Sequence, residues 1–254
     1  MKAEREKDLP CYREYRLSKK ELFSIAGLWT IVSVCISFLF YRSFLPMMFF
    51  LALFPLVLKP VKKKFIAKRK EMLSLQFCDG MSAYALAIGV GYSPENGISQ
   101  ALIEIERIHG KESLLAKEFA LIKRKLSLGE SIENCIVDFS KRSDIEEAKL
   151  MAGVFAIAKR NGGYLPDILR SATRMLEEKS RLGEEIKTLM SAKRLEHRIM
   201  CIMPAGILAY INLSGYEFVA PLYSGFAGRI IMTVAILIYA LLIYLGERIM
   251  KTDL

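Results

Sequence analysis

Uncharged, apolar runs alternate with densely charged stretches in this chain, and that segregation constrains the fold more than any other feature. Residues 22–41 and 43–58 carry no Asp, Glu, Lys or Arg, and only Arg42 separates them. Residues 199–216 and 230–246 are uncharged in the same way. A helix needs roughly 20 apolar residues to cross a bilayer, with a range of about 17–25. Three of the runs reach that range. The run 43–58 is marginal and carries Pro46 and Pro55. A mean hydropathy of +0.27 beside 37 Lys+Arg and 27 Asp+Glu excludes a disordered chain and a single soluble globule. A cleaved signal peptide fits poorly, because the first run is longer than an apolar h-region and no small-residue cleavage site precedes the next run.

Basic residues set the orientation. Lys2, Arg5, Lys7, Arg13, Arg16, Lys19 and Lys20 precede the first run. Lys59, Lys62, Lys63, Lys64, Lys68, Arg69 and Lys70 follow the second. Both flanks belong in the cytoplasm, so an even number of crossings separates them, as a hairpin turning near Arg42. Lys193, Arg194 and Arg198 mark the next cytoplasmic edge, and the last two runs return the tail inside. The loop from 217 to 229 is poor in charge and holds Phe218, Tyr223 and Phe226, which suit an interfacial belt. The reading is a basic cytoplasmic tail at 1–21, a transmembrane hairpin at 22–58, a cytoplasmic domain at 59–198, a second hairpin at 199–246 and a tail at 247–254.

Residues 59–198 are patterned as helix throughout. Leu73, Phe77, Met81, Tyr84 and Ile88 step by three and four, as do Ile98, Ala101, Leu102, Ile105 and Ile108. Further stripes run through Leu115, Phe119, Ile122 and Leu126, through Ile132, Cys135, Ile136 and Phe139, and through Ala148, Met151, Phe155 and Ala158. The last is long, from Leu165 through Leu176 to Leu189. Such spacing puts one apolar face on each helix, and short joints gather the faces into one core. The fold class is therefore all-α: a polytopic membrane protein with four transmembrane helices and a cytoplasmic six-helix bundle.

An internal echo punctuates this domain. Gly91-Tyr-Ser-Pro-Glu-Asn-Gly-Ile returns as Gly129-Glu-Ser-Ile-Glu-Asn-Cys-Ile, and more weakly as Gly163-Tyr-Leu-Pro-Asp-Ile. Glycine closes a helix in a left-handed conformation. Ser93 and Ser131 suit the N-cap, and Pro94 suits the first helical position. Glu95, Glu133 and Asp167 oppose the positive helix end. These marks carry a resemblance. The stretches from Gln76 to Asp79, from Ala87 to Gly97, from Leu128 to Asn134, from Phe155 to Pro166 and from Lys187 to Glu196 are similar, in order and spacing, to the F-type domain of type II secretion, over about residues 71–250. The nearest subgroup is the TadB/TadC-like platform proteins of Tad (Flp) pilus assembly. The resemblance implies an inner-membrane platform without catalysis of its own. It also implies partners: a cytoplasmic secretion ATPase hexamer, pilin or pseudopilin subunits, and a second copy or a paralogous platform protein. Gly91, Pro94, Glu95, Gly129, Ser131, Gly162 and Gly163 match family motif positions and are expected to shape helix joints. Many relatives carry two F domains per chain; this one carries one.

Catalytic and ligand motifs are not recognisable. His109 and His197 are far apart, so a metal site is not supported; His109 reads as a cation at a helix C-terminus. Cys11, Cys35, Cys78, Cys135 and Cys201 form no C-x-x-C. Neither a P-loop nor a G-x-S-x-G elbow occurs, so no nucleotide, cofactor or nucleophile is assigned. The pairs Glu146/Glu147, Glu177/Glu178 and Glu184/Glu185 read as solvent-facing. Partner contact is expected from two charged patches: Lys123, Arg124 and Lys125, and Glu177, Glu178, Glu184 and Glu185. The 59–70 cluster anchors topology and attracts anionic membrane lipids by roughly 1 kcal/mol per basic residue; nucleic acid is not a partner, since no aromatics interleave. A transporter or channel subunit is the alternative, needing polar residues along the spans, where Asn212 and Thr233 are the main candidates beside Ser24, Thr30, Ser33 and Ser37. A membrane-bound enzyme would need a constellation that the two lone histidines do not supply.

Overall fold

The computed structural model describes residues 12, 19–41, 43, 45–161, 165–223 and 225–252. These are helical with short joints, and no strand occurs among them. In chain order the helices are α1 (Lys19–Ile36), α2 (Leu45–Ala52), α3 (Phe54–Gly89), α4 (Pro94–His109), α5 (Leu114–Ser127), α6 (Ile132–Ser143), α7 (Glu146–Asn161), α8 (Leu165–Ser214), α9 (Tyr216–Tyr223) and α10 (Phe226–Thr252). A π-helical turn, Ser37–Tyr41, extends α1. The chain divides into two compact units. One is Met1–Arg16 with Val61–Gly183, the other Leu17–Pro60 with Glu184–Leu254.

The first unit is built on one apolar core. α3 contributes Leu73, Phe77, Met81, Tyr84 and Ile88, the stripe that its sequence spacing predicts, and all five are buried. Ile98, Ala101 and Ile105 of α4, Leu115, Phe119 and Ile122 of α5, Cys135, Ile136 and Phe139 of α6, and Ala148, Met151 and Phe155 of α7 join them. The rings of Phe77 and Phe139 stack with centroids 5.4 Å apart, and Tyr84 meets Phe155 at 5.9 Å. Each large side chain taken out of water in this way contributes about 1.5–3 kcal/mol. Two glycines permit the close approach. A Cβ on Gly80 would lie 2.4 Å from Leu115 Cδ2, and one on Gly97 would lie 2.8 Å from Ile88 Cδ1.

The last stripe departs from expectation. Leu169 and Leu176 of α8 enter the core, but Met175, Leu182 and Leu189 are exposed. Met175 adjoins Leu176 in sequence, so a helix turns it about 100° away from the core. The first unit itself ends at Gly183.

In the second unit, two helices are long and apolar enough to cross a membrane: residues 19–41, which include the π-turn, and Phe226–Ile249 of α10. The remaining apolar runs do not form comparable helices among the described residues. The run 43–58 is divided between α2 and the start of α3, with a turn at Leu53. The run 199–216 is cut by the end of α8 at Ser214, before Gly215. Several polar groups in this unit find partners, as an apolar surrounding favours. The Tyr223 hydroxyl donates to the Leu39 carbonyl at 2.7 Å, and Asn212 Nδ2 donates to the Tyr223 hydroxyl at 2.8 Å. Tyr41 and Thr233 share a hydrogen bond at 3.0 Å.

Candidate partner-contact surface

The motif residues lie at joints of the first unit. Gly91 closes α3 at φ +101° and Gly129 follows α5 at φ +86°, a region that side-chain-bearing residues avoid. Ser93 caps α4, its hydroxyl accepting from the Asn96 N–H at 3.3 Å. Pro94 then takes the first helical position, and exposed Glu95 sits in the first turn. Ser131 departs from the expected cap: it holds the N-cap position of α6, but its buried hydroxyl makes no cap bond. Gly162 and Gly163 lie outside the described residues.

Two further joints use groups that lie far apart in sequence. The α5 N-terminus is capped by Ser113, which accepts from the Ala116 N–H at 3.3 Å. It is capped also by Gln76 of α3, whose Oε1 accepts from the Leu115 N–H at 3.1 Å. Asp144 joins α6 to α7 in the left-handed region. Its carboxylate accepts from Lys149 at 2.6 Å and Lys70 at 2.9 Å. Those two bonds, Lys149 first, hold its carboxyl well below the usual carboxylate range.

A buried ionic cluster links α5 to α6. Glu118 is fully buried and takes a two-pronged contact from Arg142, at 2.9 and 2.8 Å. The Tyr12 hydroxyl also donates to Glu118, at 3.0 Å. Tyr12 is only 3% exposed and lies under the Arg69 guanidinium, 5.1 Å from ring centroid to Cζ, so part of the expected N-terminal tail is core. Burial raises the Tyr12 hydroxyl above its ordinary range, and Glu118 adds to the rise. Arg142 reaches Asp138 as well, at 3.1 Å, and Lys125 reaches Asp138 at 2.8 Å. Burial alone would raise the Asp138 carboxyl, but Lys125 and Arg142 outweigh it and hold it low.

That cluster divides the first charged patch. Lys123 and Arg124 are exposed, whereas Lys125 is turned inward onto Asp138 and Glu130. The acidic patch is also sorted. Glu178, Glu184 and Glu185 are exposed along α8, while Glu177 accepts a hydrogen bond from Ser82. The solvent-facing expectation fails for Glu147, whose side chain is 13% exposed and paired with Lys179 at 3.0 Å. Glu146, 79% exposed, meets the same lysine. His109 ends α4 and pairs with Asp79 at 2.7 Å. Burial pushes the Cys78 thiol up to about 12 and the Cys135 thiol up to about 11, so neither is a thiolate at neutral pH. Among the described residues no three His, Cys, Asp or Glu side chains gather as metal ligands.

Two concave features mark the surface of this unit. A basic cleft of about 870 Å³ at the α4–α5 joint is lined by Lys68, Arg69, His109 and Lys111. A groove of about 470 Å³ runs between α3 and α8, with Leu86 and Val90 on one side and Arg170 and Arg174 on the other. The resulting surface has charged faces, one basic cleft and one amphipathic groove. It is suited to holding partners.

The search of curated proteins finds no match, nor does the search of solved structures. Residues 94–212 match the family described as type II secretion system (T2SS), protein F. The match begins at Pro94, within the Ser-Pro-Glu motif, and contains Glu95, Gly129, Ser131, Gly162 and Gly163; Gly91 lies just before it. From the start of α4 to the apolar end of α8, this stretch of the chain is similar to a type II secretion system protein F domain.

Proposed function

We propose that this protein is a non-enzymatic inner-membrane platform of a Tad-like pilus assembly or type II secretion machine. It couples a cytoplasmic hexameric ATPase to pilin or pseudopilin assembly in the membrane. The similarity to protein F at 94–212 carries the reading, in a chain that also holds two helices apolar enough to span a bilayer. On this reading the first unit is cytoplasmic and its helices act as a six-helix bundle. The membrane part crosses four times, with residues 43–58 and 199–216 completing the two hairpins. Basic residues from Lys59 to Lys70 hold the edge against anionic lipid. Lys123 and Arg124, with Glu177, Glu178, Glu184 and Glu185, offer charged contacts to the ATPase, and the joints at Gly91, Pro94, Glu95, Gly129 and Ser131 shape the helix ends of the first unit. A second copy or a paralogue completes the assembly. The transporter alternative draws little support from Asn212 and Thr233, since both are engaged in internal hydrogen bonds.

The test is co-purification of the full chain from detergent with a hexameric P-loop secretion ATPase of the same cell. A stable complex, with nucleotide hydrolysis confined to the ATPase, is the expected result. Hydrolysis by the chain alone, or no association, overturns the reading. Orientation is tested separately with single cysteines placed at Lys123 and Glu178 in a cysteine-free background. A membrane-impermeant thiol reagent is expected to label them in inside-out vesicles and not in intact spheroplasts.

A further inference from the structure

The cleft at the α4–α5 joint pairs an apolar lining with a net positive rim. Phe65, Lys68, Arg69 and Met72 of α3 line it, and their spacing of three and four puts them on one helix face. Lys111 of the joint and Leu114 at the start of α5 line it from the other side. Lys68, Arg69 and Lys111 meet a single lining acid, Glu112, which is 90% exposed and paired with Lys117 at 2.7 Å. His109 is held by Asp79, and Arg69 lies over the Tyr12 ring. Lys68 and Lys111 are the uncommitted charges: both are exposed, and neither has a hydrogen bond or ion pair among the described residues. Met72, 47% exposed, leaves apolar surface in the same cleft.

We propose that this cleft binds an anionic phospholipid, with its phosphate on Lys68 and Lys111 and its glycerol and upper acyl carbons on Phe65, Met72 and Leu114; the proposal rests on the platform reading above. The net charge selects an anion, and the apolar lining selects an amphiphile over a free phosphate. The sequence points to the same source. Lys59, Lys62, Lys63 and Lys64 stand between the uncharged run 43–58 and the cleft residues of α3. From Leu58 to Phe65 the helix rises about 10 Å, and headgroups extend a bilayer by about 5–8 Å beyond its hydrocarbon on each side. Long lysine stems bridge the difference. Because Lys111 comes from a different helix joint, the site is a built cleft and not the diffuse attraction exerted by the 59–70 stretch.

The test places the photo-crosslinker benzoylphenylalanine at position 72 of the full chain, with position 103 on the exposed side of α4 as the control. The chain is reconstituted in vesicles of phosphatidylcholine, with or without phosphatidylglycerol, and lipid adducts are read by mass spectrometry. A phosphatidylglycerol adduct from 72 and not from 103 is expected, undiminished by excess soluble glycerol phosphate. The paired substitution Lys68→Glu and Lys111→Glu is expected to lower that adduct at least about tenfold. Lys123→Glu with Arg124→Glu, the same charge change outside the cleft, is expected to leave it within about twofold. Lys68→Gln with Lys111→Gln is expected to move the adduct the same way, and replaces the reversal should circular dichroism show that pair unfolded. No phosphatidylglycerol adduct, equal adducts with phosphatidylcholine, equal loss from both reversed pairs, displacement by glycerol phosphate, or crosslinks to residues 1–18 or to a second copy overturns the lipid site. ATPase binding by the unaltered chain in the same vesicles separates the two readings: retained beside any of these results, it leaves the platform reading standing, and its absence overturns both.

Discussion

Glu118 sits on the apolar face of α5, three residues after Leu115 and four before Ile122, and Arg142 sits on the apolar face of α6, three after Phe139. Helical periodicity alone therefore places opposite charges on the core side of two consecutive helices, and that pattern by itself marks a buried pair. Its third member was not legible. Tyr12 belongs to a stretch with no periodicity, and only tertiary contact shows that its hydroxyl completes the cluster. Truncating one partner leaves the other charge buried. Glu118→Ala is expected to cost about 3–5 kcal/mol. Tyr12→Phe removes one hydrogen bond to a charged group and keeps the ring under Arg69, so a loss of about 1.5–3 kcal/mol is expected. Denaturant midpoints of the detergent-solubilised chain, followed by circular dichroism, measure both.

At the scale of elements, the glycines separate into two kinds. Gly80 lets α3 lie against α5, and a methyl group there strikes Leu115 and Phe119, both fully buried. Gly80→Ala is expected to destabilise by about 1–3 kcal/mol through overpacking. Gly153 lies on the exposed face of α7 with nothing near its missing Cβ, so Gly153→Ala is expected to stabilise by up to about 1 kcal/mol through helix propensity. Paired thermal melts of the two variants should shift in opposite directions. The joints at Gly91 and Gly129 were legible because positive φ has a residue signature. The Ser131 cap was not, since its sequence context matches that of Ser93 while its hydroxyl is enclosed without reaching an N–H. The Gln76 cap on α5 could not be read at all, because its donor lies 39 residues away.

For the molecule as a whole, acid sensitivity follows from Asp138 and Asp144, which tie helix joints to Lys125, Arg142, Lys70 and Lys149. Both carboxyls titrate lower in the folded chain than the ordinary value of about 3.9. Their ionised forms therefore favour the fold; that contribution is whole above about pH 4 and fades as pH falls through the folded values. Melting temperature is expected to hold from pH 7 to about 4 and to drop below it. Asp144→Asn has no carboxyl to protonate there, so its drop should be shallower; equal slopes would remove Asp144 as a cause. Periodicity and charge segregation by themselves determined the helices, most of the core stripes and the apolar helices α1 and α10, because each depends on residues within a few turns of one another. Only the tertiary structure decided that Lys125 and Glu147 turn inward, that Leu182 stays exposed, and that Arg170 and Arg174 border Leu86 and Val90. The fate of a charge or an exposed aliphatic depends on which distant helix is packed beside it, and no local pattern encodes that neighbour.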